Sequence, residues 1–278
     1  MEILGNRRKG RLEELARQAE NDPVFKEIFE EKQESKVETK GDEILMFAED
    51  YTMNAMWGKD VLLIGKKTSI IRAMAMYKGG VVAAGDEGII YDSFSGDVVK
   101  FCSRSVLAMC NVGEKLYLAM NSDKESLIFQ LPQNIAVDRL KQRITALCKH
   151  KGQFYYGTEI GNIVNAKKNE IVYLGDNQKN SANALCSYKN VLYCSVFDKI
   201  FSICSDHYYD LIAVRPGNVS SLCIFNGKLH DAGSYGIYET LTNVPVRKNI
   251  GVYALCSAPK SLLEEYLGLL TNKIKNGN

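Results

Sequence analysis

Short apolar runs separated by turn residues dominate the chain, and they recur. A small residue, a large apolar residue and another small residue open each unit, at Ala73-Met74-Ala75, Ala108-Met109-Cys110, Ala146-Leu147-Cys148, Ala184-Leu185-Cys186, Ser221-Leu222-Cys223 and Ala254-Leu255-Cys256. Each of the first five leads through Gly or Asn into a second apolar run. Successive units start 33 to 38 residues apart, and self-similarity at such a period marks a repeat architecture. In the third unit four β-rich runs are legible: Ile144 to Lys149, Gln153 to Gly157, Asn162 to Ala166 and Glu170 to Leu174. Lys151-Gly152, Thr158 to Gly161 and Lys167 to Asn169 punctuate them, as turn residues do between strands.

Four antiparallel strands in about 37 residues build one blade of a β-propeller. The first run of each unit is apolar or small on both faces, which suits an inner strand buried between neighbouring blades. The last unit supplies only one run, Val252 to Ser257, before Pro259. Three orphan runs precede the first full unit: Glu43 to Ala48, Tyr51 to Trp57 and Asp60 to Ile64. Joining the final run to these three completes a sixth blade and removes the free edges that an open array would leave. The expected fold is therefore all-β, a six-bladed propeller closed by a blade shared between its N- and C-terminal segments.

The remaining sequence has helical periodicity. Leu12, Leu15, Ala16 and Ala19 fall on one stripe, and Asp22-Pro23 is a helix start ahead of Val24, Phe25, Ile28 and Phe29. Leu262, Leu263, Tyr266, Leu267 and Leu270 form a third stripe. These patterns divide the chain into N-terminal helices and a linker over residues 1–42, the propeller over 43–257 and a C-terminal helix over 258–278. The units resemble those of β-propeller repeat proteins, and Gly227-Lys228-Leu229 followed by Ala232 to Glu239 is similar to the strand-turn-strand core of many of them. The resemblance is architectural. The signature motifs of WD40 and kelch repeats are absent, so no family's functional residues carry over, and a propeller hosts enzymes and scaffolds alike.

Composition narrows the function classes. Apolar residues make up 46% of the chain, and no apolar run approaches the length of about 20 residues that a membrane helix needs. The N-terminal basic cluster is followed by no apolar segment, so the expectation is a cytoplasmic, monomeric propeller. The net charge of +2 does not by itself call for nucleic acid. Eight cysteines without a C-x-x-C pair suggest reduced thiols rather than zinc ligands.

Five of those cysteines, 110, 148, 186, 223 and 256, share one repeat position, but equivalent places in neighbouring blades lie about 10 Å apart, too far to share a metal. They are expected in the core, with Cys102, Cys194 and Cys204. His150, His207 and His230 fall in different blades at different strand positions, which disfavours a triad. Gly85 to Gly88 and Gly157 to Gly161 precede no helix, so they are turns, not phosphate loops. The feature with functional content is charge. Basic residues cluster on the connections that lead from one blade's outer strand to the next inner strand, while the turns between second and third strands carry acids such as Asp86, Glu125 and Glu159. A basic inner ring with an acidic rim attracts an anionic ligand or an acidic partner segment. The candidate binding residues are Arg72, Arg104, Arg143, Lys179, Arg215 and Arg247. The preferred expectation is a non-enzymatic scaffold with a protein partner, no metal and no cofactor. The alternative is a hydrolase or lyase acting on a small anion in the funnel, which requires a histidine or paired carboxylates there. RNA binding ranks third, because the basic loops offer few aromatic residues for stacking.

Overall fold

A computed structural model describes residues 42–49, 51–57, 60–67, 69–123, 125–173, 180–205 and 208–276. Its strands, in chain order, are β1 (Glu43–Glu49), β2 (Thr52–Trp57) and β3 (Asp60–Lys66); then β4 (Ile71–Tyr77), β5 (Gly80–Gly85), β6 (Ile89–Asp92) and β7 (Val98–Phe101). There follow β8 (Ser105–Val112), β9 (Lys115–Asn121), β10 (Ser126–Leu131) and β11 (Ile135–Leu140), and β12 (Ile144–His150), β13 (Gln153–Thr158), β14 (Ile163–Asn165) and β15 (Glu170–Tyr173). The last are β16 (Ala182–Tyr188), β17 (Val191–Val196), β18 (Lys199–Ser205) and β19 (Tyr208–Val214), β20 (Val219–Phe225), β21 (Lys228–Gly233), β22 (Gly236–Glu239) and β23 (Val244–Lys248), and β24 (Ala254–Pro259). A helix, α1 (Lys260–Asn276), ends the described chain.

These strands form six four-stranded antiparallel sheets, five of consecutive strands and one with the order β24-β1-β2-β3. Inner strands β4, β8, β12, β16, β20 and β24 neighbour one another in turn, and β24 returns to β4, so the ring closes. The chain is a six-bladed β-propeller, and its shared blade is the expected one. Closure starts two residues later than the sequence suggests. Val252 still belongs to the connection, its N–H donating to the Gly233 carbonyl at 3.0 Å, and Pro259 pairs with Glu43 instead of ending the strand early. Proline is tolerated there because β24 is the edge strand of its sheet, and the next N–H, of Lys260, makes the bond to the Asp42 carbonyl at 2.8 Å. The expected helices and linker of residues 1–41 lie outside the described residues.

Local chemistry accounts for the hairpins. The turns between first and second strands place Lys78-Gly79, Lys151-Gly152, Lys189-Asn190 and Asn226-Gly227 at positive φ. Two consecutive left-handed residues are the type I′ geometry that matches strand twist, and it selects Gly and Asn. That requirement is the origin of the Gly or Asn in each unit. Six clusters of buried apolar side chains fill the six blade interfaces. At the closing interface, Leu262, Leu263 and Tyr266 of α1 join the cluster, with Tyr266 against Phe94 of the first blade at 5.5 Å between centroids. The helix thus ties the shared blade to its neighbour on the side of the ring where β24 ends.

The outer edge of every blade, and the inner edge of blades one to five, depart from simple alternation. In each outer strand one β-branched residue is bulged out of the ladder: Ile64, Val99, Val137, Val172, Ile212 and Val246. In the inner strands of blades one to five the bulged residues are Arg72, Leu107, Thr145, Asn183 and Ser220. A bulge re-aims one side chain without ending the strand, and the inner set determines where the site lies.

Candidate funnel site

The five inner-strand bulges, with Tyr253 at the corresponding place just before β24, line a funnel of about 330 Å³ on the face of the blade connections. Arg143, Asn218, Asp86, Ser234 and Gly251 line it as well. Two residues further along each inner strand, Met74, Met109, Leu147, Leu185, Leu222 and Leu255 surround a smaller space of about 90 Å³. The funnel therefore has an apolar floor of two adjacent Met and four Leu, one from each of the six blades. The structural repeat is apolar, variable, small, as in Ile71-Arg72-Ala73 and Ile144-Thr145-Ala146, with the variable residue turned into the funnel. In ring order these are Tyr253, Arg72 and Leu107, then Thr145, Asn183 and Ser220. One half is aromatic, cationic and aliphatic, and the other is small and polar.

Of the candidates from sequence, Arg72 and Arg143 reach this funnel. Arg72 donates from its Nη2 to Asp86 at 3.2 Å, and its guanidinium lies 5.4 Å from the Tyr253 ring centroid. Arg143 is exposed and has no carboxylate partner among the described residues. Arg104 is instead held at the rim by Glu125 at 2.8 Å, and Arg139 meets the same carboxylate at 3.2 Å. The hydrogen bond from Arg104 holds the Glu125 carboxyl below its ordinary range. Arg247 extends over the Phe47 ring of the next blade, 5.6 Å from its centroid. Lys179 lies outside the described residues.

Arg215 has a different role. Its side chain is 2% exposed and its Nε and Nη2 donate to the two oxygens of Asp231, which is fully buried, at 2.7 and 2.6 Å. The Tyr235 hydroxyl donates to the same carboxylate at 2.6 Å, Asn243 accepts a further guanidinium hydrogen bond, and the Tyr238 ring lies 4.9 Å away. Burial opposes the charge on Arg215, and the bonds to Asp231 more than offset it, so its pKa is raised. Burial, and then the neighbouring carboxylate, push the Tyr235 phenol far above its usual range. This guanidinium is spent inside blade five.

The cysteines follow the core expectation with one exception. Cys148, Cys186, Cys194, Cys223 and Cys256 are buried and Cys102 and Cys110 half-buried, and burial pushes Cys186, Cys194 and Cys256 up to about 12. Cys204 is exposed, because it sits at the far end of β18 where the ladder to β19 is irregular, and its thiol points to Asp210 at 3.5 Å. All eight are free, and no three His, Cys, Asp or Glu among the described residues are placed to hold a metal. His150 is buried with its Nδ1 2.8 Å from the Ser187 hydroxyl, and His230 is buried in β21; both are held below the ordinary histidine range, chiefly by burial. Neither lines the funnel, and His207 lies outside the described residues. A second cavity of about 420 Å³ opens on the opposite face between blades one and two, against Val98, Val99 and Pro132. Its Asp92 is occupied in capping the turn, accepting from the Phe94 and Ser95 backbone N–H groups.

No protein-family model matches the sequence, and no curated protein matches it. Solved structures do match the fold. A chain of a nidogen/laminin complex is 8% identical with a TM-score of 0.64, and the alignment covers 78% of this chain and 99% of that one. A protein of unknown function from Bacteroides caccae gives 9% identity, a TM-score of 0.59 and coverage of 78% and 99%. The extracellular domain of the putative hybrid two-component system BT4673 from B. thetaiotaomicron gives 15%, 0.53, and 70% of this chain against 30% of that one. Likeness at such identities establishes the propeller and leaves function to the site.

Proposed function

We propose that the chain is a non-enzymatic, cytosolic binding module that presents its funnel face to a protein partner. The observation that carries this reading is the inner-strand bulge. The residues on either side repeat from blade to blade because they pack the interfaces, whereas the bulged residue differs in every blade and faces one shared space. Positions that vary on a repeated frame are where a repeat fold carries recognition. Eight unpaired thiols suit a reducing compartment. The enzyme reading required a histidine or paired carboxylates in the funnel; the carboxylate described there, Asp86, is neutralised by Arg72, and that reading gains no support.

Affinity capture from a native-host lysate, with and without nuclease, tests the proposal when wild type is compared with Leu107→Trp, which fills the funnel, and Lys115→Glu, on the opposite face. The expected result is a stoichiometric protein retained by wild type and Lys115→Glu and lost from Leu107→Trp. Retention by all three removes the funnel from the account, and retention abolished by nuclease favours RNA.

A further inference from the structure

The polar groups of the funnel separate by whether their hydrogen-bonding capacity is already used. Its carboxylate and side-chain amide oxygens already accept hydrogen bonds. Asp86 takes Arg72, Asn218 Oδ1 takes the Asn183 amide at 2.7 Å, and Asn183 Oδ1 takes the Ser181 hydroxyl. Thr145 gives its hydroxyl hydrogen to the Ala182 carbonyl at 2.5 Å, and Ser220 gives its own to the carbonyls of Ala232 and Val252. What remains is a set of donors. The Arg143 guanidinium, the Asn218 amide N–H₂ and the hydroxyls of Ser234 and Tyr253 all line the space, and none of these four groups donates a hydrogen bond within the described structure. Arg72 and Asp86 cancel, so among the described lining residues Arg143 leaves one uncompensated positive charge.

A donor-rich wall with a single excess cation selects an oxyanion, and the charge count selects which kind. A carboxylate neutralises Arg143 one for one and accepts its fork of N–H groups in two-oxygen geometry. A dianionic phosphate would leave about one negative charge unpaired in a partly enclosed space, which is costly. Leu107 and Tyr253 add apolar surface for the groups that flank the carboxylate. Resting on the funnel reading above, we propose that the site captures one carboxylate, carried by an Asp or Glu within an otherwise apolar extended segment of the protein partner, with Arg143 as its charge partner and Asn218 and Ser234 as neutral donors.

The test uses the full chain and fluorescent eight-residue peptides, each with a single Glu among Leu, Val and Tyr, and each matched to its Gln isostere. Anisotropy is measured for wild type, Arg143→Gln, Leu107→Trp and Lys115→Gln, with propionate and inorganic phosphate as competitors. The expected result is that Glu peptides bind about 10- to 100-fold more tightly than their Gln isosteres, since a charge-assisted hydrogen-bonded contact contributes on that order. That preference disappears in Arg143→Gln, persists in Lys115→Gln, and yields to propionate before phosphate. If Glu and Gln peptides bind equally and Leu107→Trp abolishes both, the carboxylate proposal fails and the funnel reading stands. Peptide binding that survives Leu107→Trp overturns both. Stronger competition by phosphate, or no binding by any peptide, overturns the carboxylate assignment.

Discussion

Blade five and blade three place arginines on the same face of the ring with opposite fates. In each blade the large apolar residue of the inner strand stands opposite one residue of the second strand. That residue is Ala83, Leu118, Tyr156, Cys194 or Phe47 in five blades and Asp231 in blade five. A fully buried carboxylate in this position needs a charge partner, and Arg215 is bent inward to supply it. Blade three has Tyr156 there, asks nothing of Arg143, and leaves that guanidinium at the funnel. The role of a basic residue on a propeller face is therefore decided by the chemistry of the sheet beneath it, not by the loop that bears it.

Breaking that pair gives the largest expected effect. Asp231→Leu leaves Arg215 buried and unpaired and should cost about 3–5 kcal/mol in denaturant unfolding. Asp231→Leu combined with Arg215→Met recreates the apolar pairing of the other blades and should recover most of the loss. Arg143→Gln, the other arm of the comparison, should change stability by less than about 0.5 kcal/mol. A double variant no more stable than Asp231→Leu alone would mean that the network contributes packing the other blades do not share.

An intermediate effect comes from pH. Burial keeps His150 and His230 neutral in the fold, with pKa values below the ordinary value near 6.5. The unfolded chain binds protons as pH falls through about 6.5 while the folded chain does not, so stability is complete above that point and declines below it. Each histidine contributes a slope of up to about 1.4 kcal/mol per pH unit. The depressed carboxyl of Glu125 acts in a lower window, where stability is lost as pH falls below the ordinary carboxylate range. Urea unfolding at pH 7.5 and 5.8 should show wild type weakening more than His150→Gln; equal weakening would remove His150 from the effect.

The propeller itself was legible because its core obeys a repeat. The small-apolar-small run of the inner strands contributes to every interface, the Gly and Asn turns follow from type I′ geometry, and the orphan strands had only one place to go. The site was less legible for physical reasons. Bulges shift the side-chain alternation by one residue, so Thr145 and Asn183 read as ordinary strand positions although they face the funnel. The fate of Arg215 depended on Asp231, sixteen residues away across a hairpin. Superposing the repeats exposes both signals: the variable residue between an apolar and a small one, and an acid where five blades have apolar or small residues. Charge on connections, taken alone, grouped Arg104, Arg215 and Arg247 with Arg143 although each of the three is engaged elsewhere.

Amide hydrogen exchange of the chain, free and bound to its captured protein partner, tests most directly whether the bulged ring is the working surface. Slowed exchange should concentrate on the funnel connections, around Asn218 and Gly251 to Tyr253. Protection confined to the hairpin turns of the opposite face, at Lys78-Gly79 and Lys151-Gly152, would contradict the assignment.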